Sequence, residues 1–132
     1  MKKTGVVLFT HGSKLAEAND AEVRVAKELR RRLTADLIEP AFMELSDLTI
    51  PAAIEKLVAA GCTHIFGYAL FLVPGRHLTE DIPAIFTRAL KNHPGVTYEI
   101  SAPMLDDPAL IDLLAKRIKE KLLATANPSF GG

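Results

Sequence analysis

The chain has a single cysteine, Cys62, and no surplus of either charge: 16 lysines and arginines are matched by 16 aspartates and glutamates. The first shortage rules out an internal disulfide and with it the disulfide-stapled secreted scaffolds. The second removes the general cationic field that holds a phosphate backbone, so no nucleic acid is expected as a partner. No stretch approaches the roughly 20 apolar residues of a membrane span, and the strand-like run after Met1-Lys2-Lys3-Thr4 is too short for the apolar region of a signal peptide. A soluble cytoplasmic protein without a membrane partner is the expectation. Linkers, low-complexity tracts and coiled-coil heptads are also missing. What is present is 132 residues, 48% of them hydrophobic, enough for one ordinary core and not two.

Patterning organises that core. Apolar, β-rich runs near residues 4–10, 38–45, 64–72 and 97–103 alternate with helical patterns near 16–33, 50–60, 79–92 and 107–124. A βαβα alternation implies a parallel sheet, and near-continuous apolar strands imply helices on both of its faces. The expected fold is therefore α/β, a three-layer αβα arrangement around a four-stranded parallel sheet. One domain is assigned to residues 1–124, and residues 125–132, with Asn127, Pro128 and two terminal glycines, read as a frayed tail.

The third helix is the clearest, because Ile82, Ile85, Phe86, Ala89 and Leu90 make one apolar stripe. Thr79 is its expected N-cap, with Glu80 and Asp81 at the positive end of the dipole and Asn92-His93-Pro94-Gly95 as its stop. Gly61 is expected to close the second helix. In the last helix Asp107 and Pro108 mark the start, and Leu110, Ile111, Leu114, Ile118 and Leu122 line one side. Lys116, Arg117, Lys119 and Lys121 are expected on its solvated face.

Open α/β sheets bind ligands outside the carboxyl ends of their strands. His11, in His11-Gly12-Ser13, follows the first strand, and His77 follows the third after Val73-Pro74-Gly75-Arg76. A histidine there can serve as a neutral metal ligand or as a proton acceptor near neutral pH. Glu44 ends the second strand-like run, near the same rim. Two histidines and a carboxylate bind several divalent transition metals without selecting one. Gly12 permits close backbone approach, and Ser13 is placed to cap the next helix, whose free amides suit a carboxylate. Arg76 and Lys14 are candidate cations for an anionic ligand. His64, at the amino end of the third strand, and His93, in a helix-terminating turn, read as structural or surface residues.

These residues carry a resemblance. His11-Gly12-Ser13, Ala41-Phe42-Met43-Glu44 and especially Pro74-Gly75-Arg76-His77-Leu78-Thr79-Glu80-Asp81-Ile82-Pro83 resemble the small class II tetrapyrrole chelatases, the sirohydrochlorin cobaltochelatases and ferrochelatases. The resemblance spans nearly the whole chain. It implies a chelatase-like, flavodoxin-like half and a lyase that inserts a divalent metal, Co²⁺ first and Fe²⁺ or Ni²⁺ as alternatives, into sirohydrochlorin for cobalamin or sirohaem. The metal is then substrate, and no organic cofactor is implied. By the same resemblance His11 and His77 are the metal-handling and catalytic histidines and Glu44 the third metal ligand. Ser13, Lys14 and Arg76 are assigned to substrate binding by proximity alone. Some family members hold two such halves, and the short form pairs with itself, so a homodimer is expected.

Two rival readings remain at this level. A non-catalytic metal or tetrapyrrole carrier would keep the same ligands. A histidine phosphatase also places a His-Gly turn after its first strand, but there an arginine precedes the histidine, and here that position is Thr10.

Overall fold

In a computed structural model of the chain the elements run β1 (Thr4–Thr10), α1 (Ala16–Leu33), β2 (Ile38–Phe42), α2 (Ile50–Ala59), β3 (His64–Ala69), α3 (Arg76–Ala89), β4 (Thr97–Ile100) and α4 (Pro108–Ala124). The structure describes residues 3–33, 37–70, 76–102, 104–105 and 107–124, with the side chains of 76–79 outside the description. The expected frayed tail, the Pro74-Gly75 turn, and the residues of the predicted strands at 71–72 and 103 lie outside the described residues.

The four strands form one parallel sheet in the order β2-β1-β3-β4. β1 pairs with β2 from Val6↔Ile38 to Thr10↔Phe42, and with β3 from Thr4↔His64 to Phe9↔Ala69. Side chains alternate across a strand, and β1 shows it: Val7 and Phe9 enter the large core with α2 and α3 residues, while Leu8 joins Ala26 of α1 and Ile38 on the opposite face. The α2/α3 face is densely filled by Ile50, Ile54, Leu57, Ile82 and Phe86, all essentially without exposure. Gly67 makes that packing possible, because a Cβ there would stand 2.7 Å from Phe86 Cζ. The α1 face holds a much smaller cluster.

Helix ends follow local chemistry. Thr49 caps α2, its hydroxyl accepting the Ala52 amide at 3.2 Å, and Gly61 follows the helix with φ +94°. Asp107 Oδ1 accepts the Ala109 amide at 2.8 Å, with Pro108 as the first residue of α4. The stripe of α3 faces the core as expected, but the helix starts at Arg76 and ends at Ala89. Thr79 is thus inside the helix and not its N-cap, since Arg76, His77 and Leu78 all tolerate helical backbone and extend it backwards. β2 stops at Phe42 instead of reaching residue 45, because the Phe42 amide donates to Leu48 O at 2.8 Å across a bend. β3 and β4 likewise close at Ala69 and Ile100, short of their predicted ends.

Candidate metal centre at the carboxyl rim

The order β2-β1-β3-β4 means that the connections leaving β1 and β3 run to opposite sides. Such a switch point opens a crevice at the carboxyl ends of those strands. His11 follows β1 directly, and the exit of β3 is held beside it by a 2.9 Å bond from the Leu70 amide to Phe9 O. His77 lies in the first turn of α3, the helix that follows β3; its side chain and that of Arg76 lie outside the described residues.

His11 and Glu44 are brought side by side by the backbone. The Met43 amide donates to Thr10 O and the Glu44 amide to His11 O, each at 3.0 Å, carrying the pairing of β1 with the β2 segment beyond both strand ends. Both residues are exposed. Gly12 is required by this approach: its φ is +94°, and a Cβ would lie 1.9 Å from Glu44 O. Leu45 next door also adopts a positive φ, 61°, a conformation unfavourable for a leucine that the surrounding bonds must hold in place.

One holder of that strained turn escaped the sequence reading. Asn19 of α1 accepts the Ser13 amide on Oδ1 at 2.9 Å and donates from Nδ2 to Ser13 O at 3.0 Å and to Leu45 O at 3.3 Å. It thereby clamps the His11 and Glu44 loops to each other. The only signal in sequence was an asparagine inside a helix, where it is a poor former. This clamp corrects the role expected of Ser13. Its amide is committed to Asn19, and its hydroxyl accepts the Leu15 amide at 3.1 Å, ahead of the helix. Ser13 shapes the turn and neither caps α1 nor presents a free amide. Lys14 is exposed on the same turn.

A second unforeseen group lies beneath. Glu22 of α1 is 5% exposed, and neither carboxyl oxygen has a hydrogen-bond partner within bonding distance. Burial pushes its pKa up to about 8, with the nearby Thr10 side chain acting in the opposite direction. Thr10 is the last residue of β1, immediately before His11. A carboxyl group that stays protonated at neutral pH thus underlies the rim, placed there because position 22 falls on the sheet-facing stripe of α1 with Ala26.

The other titratable candidates are structural, as expected. His64 bonds Thr97 Oγ1 through Nδ1 at 2.7 Å and Glu99 Oε1 through Nε2 at 2.9 Å, tying β3 to β4 at the amino end of the sheet. His93 Nε2 meets Glu55 Oε1 at 2.9 Å. The Cys62 thiol is buried, and burial raises its pKa against the opposing influence of Lys3. Among the described residues no three His, Cys, Asp or Glu side chains gather into a metal-binding group; His11 and Glu44 are the pair the described rim supplies. No described helix is long and apolar enough to cross a membrane.

Known proteins share this chain's sequence pattern and fold. The model of the CbiX family matches residues 5–121. The chain is 32% identical over 118 residues to the chloroplastic sirohydrochlorin ferrochelatase of Arabidopsis thaliana, covering 89% of this chain and 52% of that protein. To the sirohydrochlorin cobaltochelatase of Methanosarcina barkeri it is 32% identical over 130 residues, covering 92% of this chain and 98% of the other. The sirohydrochlorin chelatase SirB from Bacillus subtilis subspecies spizizenii, solved in complex with cobalt, superposes with a TM-score of 0.81 at 26% identity, over 89% of this chain and 50% of SirB. The chain therefore spans about half the length of the plant and Bacillus relatives and nearly all of the archaeal one.

Proposed function

Because the chain belongs to the CbiX family, we propose that it is a sirohydrochlorin chelatase, a lyase that inserts a divalent metal into the tetrapyrrole for cobalamin or sirohaem. The observation that carries the reading is the junction of His11 and Glu44 by backbone bonds at the sheet's switch point, with His77 in the first turn of the helix after β3. Relatives named for cobalt and for iron insertion match at the same 32% identity, and the donor set selects neither. Co²⁺ is the proposed substrate metal, with Fe²⁺ and Ni²⁺ as competitors.

Insertion replaces two pyrrole N–H bonds with bonds from nitrogen to metal and releases two protons. His11 is proposed as the base that accepts a proton at the ring face, and His77 as the residue that delivers the ion, with Glu44 completing the ligand set. The exposed side chains of Leu15, 71%, and Leu45, 51%, offer apolar surface beside His11 and Glu44 for the flat macrocycle. Arg76 and Lys14 are the proposed cations for its carboxylates. Two copies of this half-length chain would pair to give the equivalent of a two-half enzyme, acting in the cytoplasm.

The test is anaerobic absorption spectroscopy with sirohydrochlorin and Co²⁺ or Fe²⁺, comparing wild type with the His11→Ala/His77→Ala double variant. Conversion of the metal-free spectrum above the protein-free rate, lost in the variant, is expected. Binding without rate enhancement would identify a carrier instead. Loss of chelation in His77→Ala but not in His11→Ala would overturn the assignment of the base.

A further inference from the structure

Glu22 does not match the face on which it stands. α1 turns Glu22 and Ala26 inward, and the sheet surface it covers is apolar, with Leu8, Ile38 and Leu70 in one cluster. A leucine at position 22 would suit that setting. The residue is instead a carboxylic acid, 5% exposed, with no hydrogen-bond partner for either oxygen. Buried polar groups are nearly always paired, so an unsatisfied acid beside a chemical site points to a use. The side chain next to it is that of Thr10, the half-buried last residue of β1, directly ahead of His11.

Charge at the rim supplies the use. A divalent ion held by neutral imidazoles and the Glu44 carboxylate leaves one positive charge in excess, and an ionised Glu22 beneath it cancels that charge. When the ion moves into the macrocycle, two positive charges leave the rim and two pyrrole protons are set free. His11 accounts for only one of them. We propose that Glu22 is the counter-charge of the metal centre: its carboxyl group gives up its proton when a divalent ion docks at His11 and Glu44, and takes one back when the ion departs. The rim then exchanges one dication for two protons. On docking, the Glu22 O–H bond breaks and the proton passes to water by way of the Thr10 hydroxyl. On insertion, two pyrrole N–H bonds break as bonds from nitrogen to metal form, and the protons end on the His11 imidazole and the Glu22 carboxylate, with no electron transferred.

Electrostatics drives the exchange in this direction. Burial pushes the Glu22 pKa up to about 8, with the Thr10 side chain opposing it, so the acid is neutral at pH 7 in the metal-free protein. A nearby cation favours the charged form of a carboxyl group, and apolar surroundings screen that attraction less than water does. The positions one turn away on α1 are Ala18, Asn19, Val25 and Ala26, none of them charged. Among the described residues the other titratable groups on this side are His11, Lys14 and Glu44, exposed at the rim, Tyr68 of β3, and Arg30, which donates to Ile38 O at 2.8 Å. Glu22 acts through the ion and not on the ring, as a positioning residue for charge.

The inference rests on the metal site of the proposed function, and its test separates the two. Co²⁺ alone is titrated calorimetrically into wild type and Glu22→Gln in buffers of different ionisation enthalpy, which counts the protons released per ion. Histidine protons are common to both proteins. At pH 7 wild type is expected to release about one proton more than the variant. Its advantage in Co²⁺ affinity should grow by up to about tenfold for each pH unit towards pH 8 and level off above it. Equal proton release at saturation, or an affinity loss in Glu22→Gln that is the same at every pH, would overturn the inference by making Glu22 a structural residue. If glutamine abolishes binding, Glu22→Asp is the second variant: binding restored together with the extra proton supports the inference, and binding not restored overturns it. A wild type that binds no Co²⁺ would reject the metal site and the inference with it. The proton difference without insertion into sirohydrochlorin would reject the enzyme reading alone.

Discussion

Replacing Glu22 with glutamine should stabilise the protein increasingly as pH rises. The carboxyl group is 5% exposed, without a hydrogen-bond partner for either oxygen, and its pKa is raised from 4.5 to about 8, chiefly by burial. In the unfolded chain it titrates near the ordinary carboxylate value, so between pH 4.5 and pH 8 the native state binds the extra proton. Stability then falls as pH rises through that window, is unpenalised below it and levels off above it. At about 1.4 kcal/mol for each pH unit, the cost reaches an upper bound of about 5 kcal/mol above pH 8. Water entry and local relaxation lower that bound, and about 2 kcal/mol is sufficient for the argument. Glutamine keeps the shape and stays neutral, so Glu22→Gln escapes this dependence. Urea unfolding of both proteins at intervals from pH 5 to pH 9 provides the comparison, with the gap between them widening towards pH 8. Parallel stability curves across that range would refute the reasoning, because they would mean that Glu22 is as well solvated in the folded chain as in the unfolded one.

Other substitutions probe the rim and its supports. Gly12→Ala places a methyl group against Glu44 O and demands a positive φ, costing ~1–3 kcal/mol and separating the His11 and Glu44 loops. Chelation should drop even at temperatures where circular dichroism shows a folded chain. Asn19→Ala, which removes three bonds to the same loops, should weaken Co²⁺ binding in calorimetry more than it lowers the melting temperature. His64→Ala loses the Thr97 and Glu99 bonds at the opposite end of the sheet, so it should cost ~1–3 kcal/mol in denaturant titrations with kcat unchanged. Arg76→Ala should raise KM for sirohydrochlorin more than it lowers kcat, and steady-state kinetics showing the reverse would exclude a pure binding role.

The elements that were legible in sequence are those whose signal is local. The apolar run from Gly5 to Phe9 and the stripe from Ile82 to Leu90 state their period within one segment, and both bury the residues expected. Asp107-Pro108 and Gly61 mark helix ends by capping chemistry that needs no distant partner. Boundaries failed where a remote bond decided them, as with Phe42 bending towards Leu48. At the rim, His11 and Glu44 were recognisable by residue type and position, while Asn19 and Glu22 were not, because a polar residue on a helix declares neither its burial nor its partner.

Sequence by itself determined the alternation of strands and helices, the parallel sheet it requires, and the placement of His11 at a carboxyl strand end, since hydrophobic period and chain order suffice for all three. Tertiary structure alone decided that Glu44 meets His11 backbone to backbone, that Ser13 spends its amide on Asn19, that Glu22 lies under the rim, and that α4 buries none of its residues. Each of these depends on groups far apart in the chain. An amphipathic stripe shows which side of a helix is apolar; only the packed molecule shows whether that side is covered.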